Sequence, residues 1–391
     1  MGQAAATDAR AKVAIVGIGY TQLSRRSGRS PLDLAVEAIT EAVEDAGLST
    51  VDIDGLATHH VNDSAPVHEV AVALGLPDLS WYQEEFGGGS RAPAVVGQAA
   101  LACHHGAART VVVYRALNGR SGMRMGASGG GRAVPGADLQ FQEPYGLLAP
   151  AHHYGLGARM HMNRYGTTYE HLGMVAVQQR RNAAGNPRAL MRKPLTMEDY
   201  LNSRWIADPF RLLDCCLETD GACAVVLTAT DRAADLRQPV VALLGWASSI
   251  GPNGFSNTDG DLTHTAAALL APRLYSMAGV GPADVDVAEI YDAFTYSVLV
   301  QLEDYGFCAK GEGGPFVASG ATALGGALPV NTHGGFLSEG YVHGLNHVCE
   351  AVSQLRGHAG SRQAHDAEVA LSTAQPGYIS GSSSALLLGR A

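Results

Sequence analysis

The sequence predicts an α/β protein built from two duplicated β-α-β-rich halves. Three observations predict it. A short apolar run ending in glycine leads into a capped amphipathic stretch and a second apolar run, which is the β-α-β order. The same order returns in the second half of the chain. The two halves also close on matching apolar runs, each read as a buried strand.

The first strand is VAIVG at 13–17. A helix follows over Pro31–Ala46, with Ser30 as N-cap and Pro31 at the first helical position, where its missing N–H costs nothing. Gly47 ends it, and Gly55–Thr58 is the next strand. The order recurs as Val241–Gly245, then Ala266–Ala278, and Ala278–Asp286 aligns without a gap on Ala46–Asp54, keeping the AG pair and the D-aliphatic-D triplet. Gly221–Leu227 and Gly381–Leu387 are the matching terminal strands. The halves are placed at 1–237 and 238–391, packed as sheets layered between helices. Residues of about 118–210, rich in Gly, His, Met and Arg, fit neither copy and read as an insertion covering one face.

Composition narrows the function. With 391 residues and 46% hydrophobic side chains the chain buries a sizeable core. The formal charge of -10 and the scattered basic residues give no surface for tracking nucleic-acid phosphates. Six cysteines without a C-x-x-C pair fit buried thiols in a reducing compartment, with no disulfide expected. No apolar leader and no membrane-length apolar run is found, so the expectation is a cytoplasmic protein.

Four segments carry a family resemblance. The run Gly89–Gly106 has the small-residue pattern of a buried helix with a glycine at its end; Glu289-Ile290-Tyr291-Asp292-Ala293-Phe294, Gly334–Val342 and Ile379-Ser380-Gly381 complete the set. Together they resemble the thiolase superfamily, in particular its sterol-carrier-protein-type members, over nearly the whole chain. That resemblance implies the thiolase fold, a layered α-β-α-β-α arrangement. It also puts four departures in one active site. Gly89 stands at the position of the nucleophilic cysteine, and a slip of register to Gly88 or Ser90 restores no thiolate. Tyr291 takes the first place of the N-E-A-F or H-D-C-F motif, Tyr341 replaces the histidine of G-H-P, and Ile379 replaces the second cysteine of C-x-G. The combination is similar to the thiolase-like aldolases of bacterial steroid side-chain degradation. The resemblance then implies cleavage of a β-hydroxyacyl-CoA with a C22-acyl side chain and a tertiary 17-hydroxyl into a 17-ketosteroid and propionyl-CoA.

A thiolase needs a covalent thioester and hence a nucleophile, whereas a retro-aldol cleavage needs a base for the hydroxyl proton, a stabilised enolate and an acid for the α-carbon. Two phenols can serve as base and acid once one is stabilised as phenolate. His333 and His343, which flank Tyr341 in sequence, are candidates for that support, and Asn331 for orienting substrate or tyrosine. Backbone amides near Gly381, where the family builds an oxyanion hole, are the candidate enolate donors. No cofactor is expected. The chain has three lysines, of which only Lys310 lies near a site loop, and the pairs His59-His60, His104-His105 and His152-His153 lack metal-site spacing.

Competing readings stay open on these residues. Tyr291 and Tyr341 can be ordinary half-buried tyrosines, and Tyr296 and Tyr305 read as core. Gly17-Ile18-Gly19 lacks the third glycine of a dinucleotide loop, and the G-x-S-x-G letters at 126–130 lie in a glycine-rich loop. Arg159, His161 and Arg164 share a helix and meet CoA phosphates or water. A thiolase-type acyltransferase using Cys103 or Cys308, and a non-catalytic lipid-carrying scaffold, are the alternative functions. The resemblance further implies a homodimer and a separate OB-fold, zinc-ribbon acyl-CoA-associated subunit.

Overall fold

The computed structural model describes residues 10–122, 124, 126, 139–251, 260–375 and 381–391. Its strands, in chain order, are β1 (Val13–Tyr20), β2 (Gly55–His60), β3 (Trp81–Phe86), β4 (Thr110–Asn118), β5 (Trp205–Ala207), β6 (Phe210–Arg211), β7 (Asp220–Ala229), β8 (Val241–Ile250), β9 (Val287–Glu289), β10 (Val369–Ala374) and β11 (Ser382–Arg390). Apart from the small β5-β6 pair, they hydrogen-bond in the order β3-β2-β4-β7-β1-β8-β11-β10-β9.

That order contains its own repeat. Read outward from the junction, the first half runs β1-β7-β4-β2 and the second β8-β11-β10-β9, each strand matching its sequence counterpart. In both copies the outer pair is parallel and the others antiparallel. Within the sheet the halves meet where β1 pairs with β8, at Ala14↔Ala242 and Ile15↔Val241. The first half carries one additional edge strand, β3.

Helices divide into layers by what they touch. Ala92–His104 and Leu345–Leu355 contact strands of both halves and form the central layer, whereas Pro31–Ala46 lies on β1, β4 and β7, and Ala267–Ala278 on β8 and β11. The central helices are buried nearly all round, as a layer enclosed by two sheets requires. The outer helix Pro31–Ala46 buries Leu34, Ala35, Ala38, Ile39, Ala42, Val43 and Ala46 on one stripe. Its ends are those read from the sequence: Ser30 and Asp33 form a capping box, and Gly47 at φ 76° ends it in the left-handed conformation.

Gly17 and Gly19 have a packing role. A β-carbon on either would lie 2.0 Å from the Ala42 carbonyl oxygen or 2.1 Å from that of Ala38, so β1 accepts the helix only with glycine there. Among the described residues, no helix is long and apolar enough to cross a membrane.

Candidate active site

The site forms where the start of the central helix Ala92–His104 meets the segments after β9 and before Leu345–Leu355. Gly89 precedes that helix by three residues. A β-carbon on Gly89 would stand 1.8 Å from the Tyr291 hydroxyl oxygen, 2.3 Å from Tyr291 Cζ and 2.6 Å from the Gln375 carbonyl oxygen. The phenol therefore occupies the volume a nucleophilic side chain would need. No cysteine fits there without moving Tyr291.

Tyr291 is held from its backbone outward. Asn331 clamps the preceding residue, accepting from Ile290 N–H at 2.7 Å and donating to the Ile290 carbonyl at 2.9 Å. The Tyr291 amide donates to Thr373 Oγ1 at 2.9 Å, and its carbonyl accepts from Gln301 Nε2 at 2.7 Å and Ser297 Oγ at 3.0 Å. Phe336 packs edge-on against Tyr291 and Tyr341, with centroids 4.9 and 4.8 Å away. The two hydroxyl oxygens end 2.5 Å apart. Tyr291 is buried, and Tyr341 keeps partial exposure.

Burial raises both phenols well above their ordinary range. Either hydroxyl can donate in the hydrogen bond between them, so it supports whichever phenol is ionised, and the charge of Arg115 lowers Tyr341. Arg115 and partial exposure both favour charge on Tyr341.

His343 packs edge-on against Tyr341 at 4.8 Å and joins the site; Asn331 supports it from behind. His333 does not face Tyr341. Its ring lies between Glu289 (2.9 Å), Glu339 (3.5 Å) and His347 (3.2 Å), because the left-handed Gly334 and Gly335 turn the chain between residues 333 and 341. The Gly381 carbonyl accepts from Gly251 N–H at 3.0 Å, and the next residue's Ser382 Oγ meets Ser90 Oγ at 2.7 Å, which brings the start of β11 to the Gly89 corner. Ile379 and Ser380 lie outside the described residues, as do residues 127–130 of the glycine-rich loop.

Cys103 sits near the far end of the central helix, buried, its Sγ 3.7 Å from the Leu227 carbonyl oxygen; burial pushes its thiol up to about 12. Cys308 is likewise pushed up to about 12 by burial. Arg159 and Arg164 are engaged with Asp208 and Asp261, and His161 with Glu303 at 3.0 Å, so this helix face is tied into the protein. Tyr296 and Tyr305 are core residues.

Three groups escaped the sequence reading. Arg115 is completely buried in β4, 2.6 Å from Asp63 and 3.0 Å through Nε from His343 Nδ1. Its signal was present: an arginine inside the otherwise apolar run TVVVYRAL. Cys216 and Tyr154 also lie close enough to bias the tyrosines, each raising Tyr291. Among the described residues, no three His, Cys, Asp or Glu side chains are grouped to hold a metal ion.

Known proteins share both the fold and the length. The model of the thiolase C-terminal domain-like family matches residues 254–390. The chain is 45% identical over 358 residues to a 17-hydroxy-3-oxo-4-pregnene-20-carboxyl-CoA lyase of Mycobacterium tuberculosis, covering 88% of this chain and 92% of that protein. It is 44% identical to a steroid side-chain-cleaving aldolase of Thermomonospora curvata, over 88% and 90% of the two chains. A solved structure of an Ltp2-ChsH2(DUF35) aldolase superposes with a TM-score of 0.89 at 41% identity, covering 97% of this chain and 98% of that one. Human mitochondrial 3-ketoacyl-CoA thiolase, at 14% identity and a TM-score of 0.72, shares the fold alone. The chain belongs to the thiolase-like family of steroid side-chain-cleaving aldolases.

Proposed function

We propose that this protein cleaves a steroid β-hydroxyacyl-CoA by a retro-aldol reaction at the Tyr291–Tyr341 pair, releasing a 17-ketosteroid and propionyl-CoA without an acyl-enzyme. The substrate is a C22-acyl-CoA with a tertiary 17-hydroxyl. Two relatives at 44 and 45% identity are named for this lyase and aldolase chemistry. The observation that carries the site assignment is the 2.5 Å contact between the two phenols, with the Tyr291 hydroxyl in the place of the absent nucleophile.

Tyr341, the more exposed phenol and the one that Arg115 favours as phenolate, takes the proton of the 17-hydroxyl. The oxygen's electrons form the ketone, the bond from the β-carbon to the α-carbon breaks, and its electron pair enters the thioester as an enolate. Tyr291, lying at the Gly89 corner, delivers a proton to the α-carbon. The hydrogen bond between the phenols then passes the proton held by Tyr341 to Tyr291, and both return to their starting state. One proton leaves oxygen and one reaches carbon. The thioester itself acidifies the α-carbon, so no metal, nicotinamide or Schiff base enters this scheme.

The acyltransferase alternative is disfavoured by the collision at Gly89 and by the inert thiols of Cys103 and Cys308. A scaffold role would leave the polar clamp around Tyr291 without a purpose.

The repeated strand order supports dividing the chain at 237/238, with 118–210 as the insertion. Among the described residues β3 has no partner on its outer edge, where Tyr82 and Phe86 are exposed, which supports a homodimer. The two-component name of the similar aldolase structure supports a separate partner subunit, for which we propose an OB-fold, zinc-ribbon chain. Cytoplasmic residence is part of the same proposal.

The test is turnover of the steroid acyl-CoA in D2O, with the partner subunit present. One deuterium in the propionyl α-position is expected, and Tyr341→Phe or Tyr291→Phe should slow turnover by about 100-fold or more. Unlabelled product, or a fully active double phenylalanine variant, overturns the reading.

A further inference from the structure

Beyond favouring the Tyr341 phenolate, the Arg115–Asp63 ion pair holds His343. Arg115 is completely buried, and a guanidinium carries only donors. One, Nη1–H, goes to the Ala116 carbonyl at 2.8 Å. Asp63 Oδ2 lies 2.6 Å from Nη2. The Nε–H and an Nη2–H converge on one acceptor, His343 Nδ1, at 3.0 and 2.6 Å.

A ring nitrogen facing two obligatory donors must present its lone pair to them. The hydrogen of His343 is then on Nε2. The ring is also kept neutral, since burial and Arg115 both hold its pKa well below the ordinary value. Nε2 is buried and has no hydrogen-bond partner among the described residues. It faces the Gly88 corner, where a β-carbon on Gly88 would be 3.6 Å away, next to the Gly89 position filled by the Tyr291 hydroxyl. The backbone supports this placement under strain: His343 has φ 52°, uncommon outside glycine, and Gly344 follows at φ 98°.

The neighbouring His59 provides a contrast. Its Nδ1 is 3.3 Å from the Gly87 carbonyl, which can only accept, so His59 carries its hydrogen on Nδ1 and its unpartnered Nε2 is a lone pair. Burial keeps both imidazoles neutral, their centroids 6.0 Å apart, and at Nε2 His343 presents a donor where His59 presents a lone pair.

We infer that His343 donates its Nε2–H to the thioester oxygen as the enolate forms, with Arg115 and Asp63 as positioning residues that fix its tautomer. This rests on the thioester reading above. A neutral imidazole suits this role, because it stabilises the oxyanion by hydrogen bonding but does not readily surrender its proton to oxygen. The electron pair then stays available for protonation at carbon by Tyr291.

The test uses the chain with its partner subunit. In 15N-histidine spectra, assigned with His343→Gln, His343 should show a protonated Nε2 and a bare Nδ1 from pH 5.5 to 8. Its Nε2 resonance should move on adding propionyl-CoA and stay still with free CoA. In Arg115→Gln, with that cation gone and Asp63, His59 and Tyr341 remaining around the ring, the single tautomer should be lost. His343→Ala should lower kcat by about 100-fold with little change in KM, and His343→Gln, which keeps a donor, should recover at least tenfold of that. A wild-type spectrum with hydrogen on Nδ1, no response to propionyl-CoA, or His343→Ala within threefold of wild type overturns the assignment. The spectra need no steroid turnover, so failure of the aldolase reading is seen separately, as wild-type protein that holds the tautomer yet cleaves nothing.

Discussion

Tyr291 and Gly89 compete for one volume: the phenol oxygen lies 1.8 Å from where a β-carbon on Gly89 would be. The backbone carbonyl oxygen of Gln375 lies 2.6 Å from the same point, so a β-carbon there meets backbone as well as the phenol. Gly89→Ala should therefore displace Tyr291, break its contact with Tyr341 and reduce cleavage by about 100-fold, because a misplacement of the order of 1 Å costs that much in an oriented reaction. Gly89→Cys should behave the same and gain no thiolase activity. Steady-state kinetics on folded variants checks both, and near-wild-type turnover by Gly89→Ala would contradict the packing argument.

Rate should depend on pH through the phenols. Burial raises Tyr291 and Tyr341 above the usual tyrosine range, so the free protein holds both neutral near pH 7, and the phenolate fraction grows tenfold per pH unit below the pKa. For a phenolate base, kcat/KM should climb with a slope near one between pH 7 and pH 9. A plateau reached below pH 8 would require another base.

The sequence disclosed the parts of this site that rest on local pattern. Pro31–Ala46 was legible to the residue because Ser30 and Gly47 mark its ends chemically, and the tyrosines were legible because Gly89, Glu289–Phe294 and Gly334–Val342 keep recognisable registers. The contact of Arg115 with His343 was not, since it spans 228 residues and exists only after β4 is laid in the sheet beside the loop before Leu345–Leu355. His333 was misplaced for the converse reason. Nearness to Tyr341 in sequence means little when two left-handed glycines intervene, and a buried histidine goes to the carboxylates that stabilise its charge.

That placement of His333 gives a stability prediction. Burial opposes its charge, yet Glu339 and Glu289 prevail and raise its pKa to about 9. A histidine whose folded pKa exceeds its unfolded value of about 6.5 stabilises the fold fully below pH 6.5 and loses that contribution as pH rises through 9, on the order of 3 kcal/mol. His343 and His59, held neutral, act below that window. Thermal unfolding of the wild type should therefore move to lower temperature from pH 6.5 to pH 9. His333→Gln should start lower, with Glu289 and Glu339 left buried beside a neutral amide, and should show a shallower slope, the remainder coming from buried thiols that ionise only once unfolded; an equal slope in both would remove His333 as a source.

The thiols provide the sharpest separation from ordinary thiolase chemistry. Reactivity follows the thiolate, and burial pushes Cys103 and Cys308 up to about 12 and raises Cys216, whose charge bears on both tyrosines, well above its ordinary value. At pH 7.5 each is overwhelmingly protonated and a poor nucleophile. Iodoacetamide at that pH should leave cleavage at its untreated rate, and intact-mass spectra taken during turnover should show no acyl adduct. Cys216 makes the experiment discriminating: it is partly exposed beside the phenol pair, so slow alkylation at higher pH should inhibit by bulk, in step with carboxamidomethylation of Cys216 and never with loss of an acyl-enzyme. An acyl mass on any cysteine during turnover would return the protein to covalent catalysis, because a retro-aldol step on two phenols has no place for one.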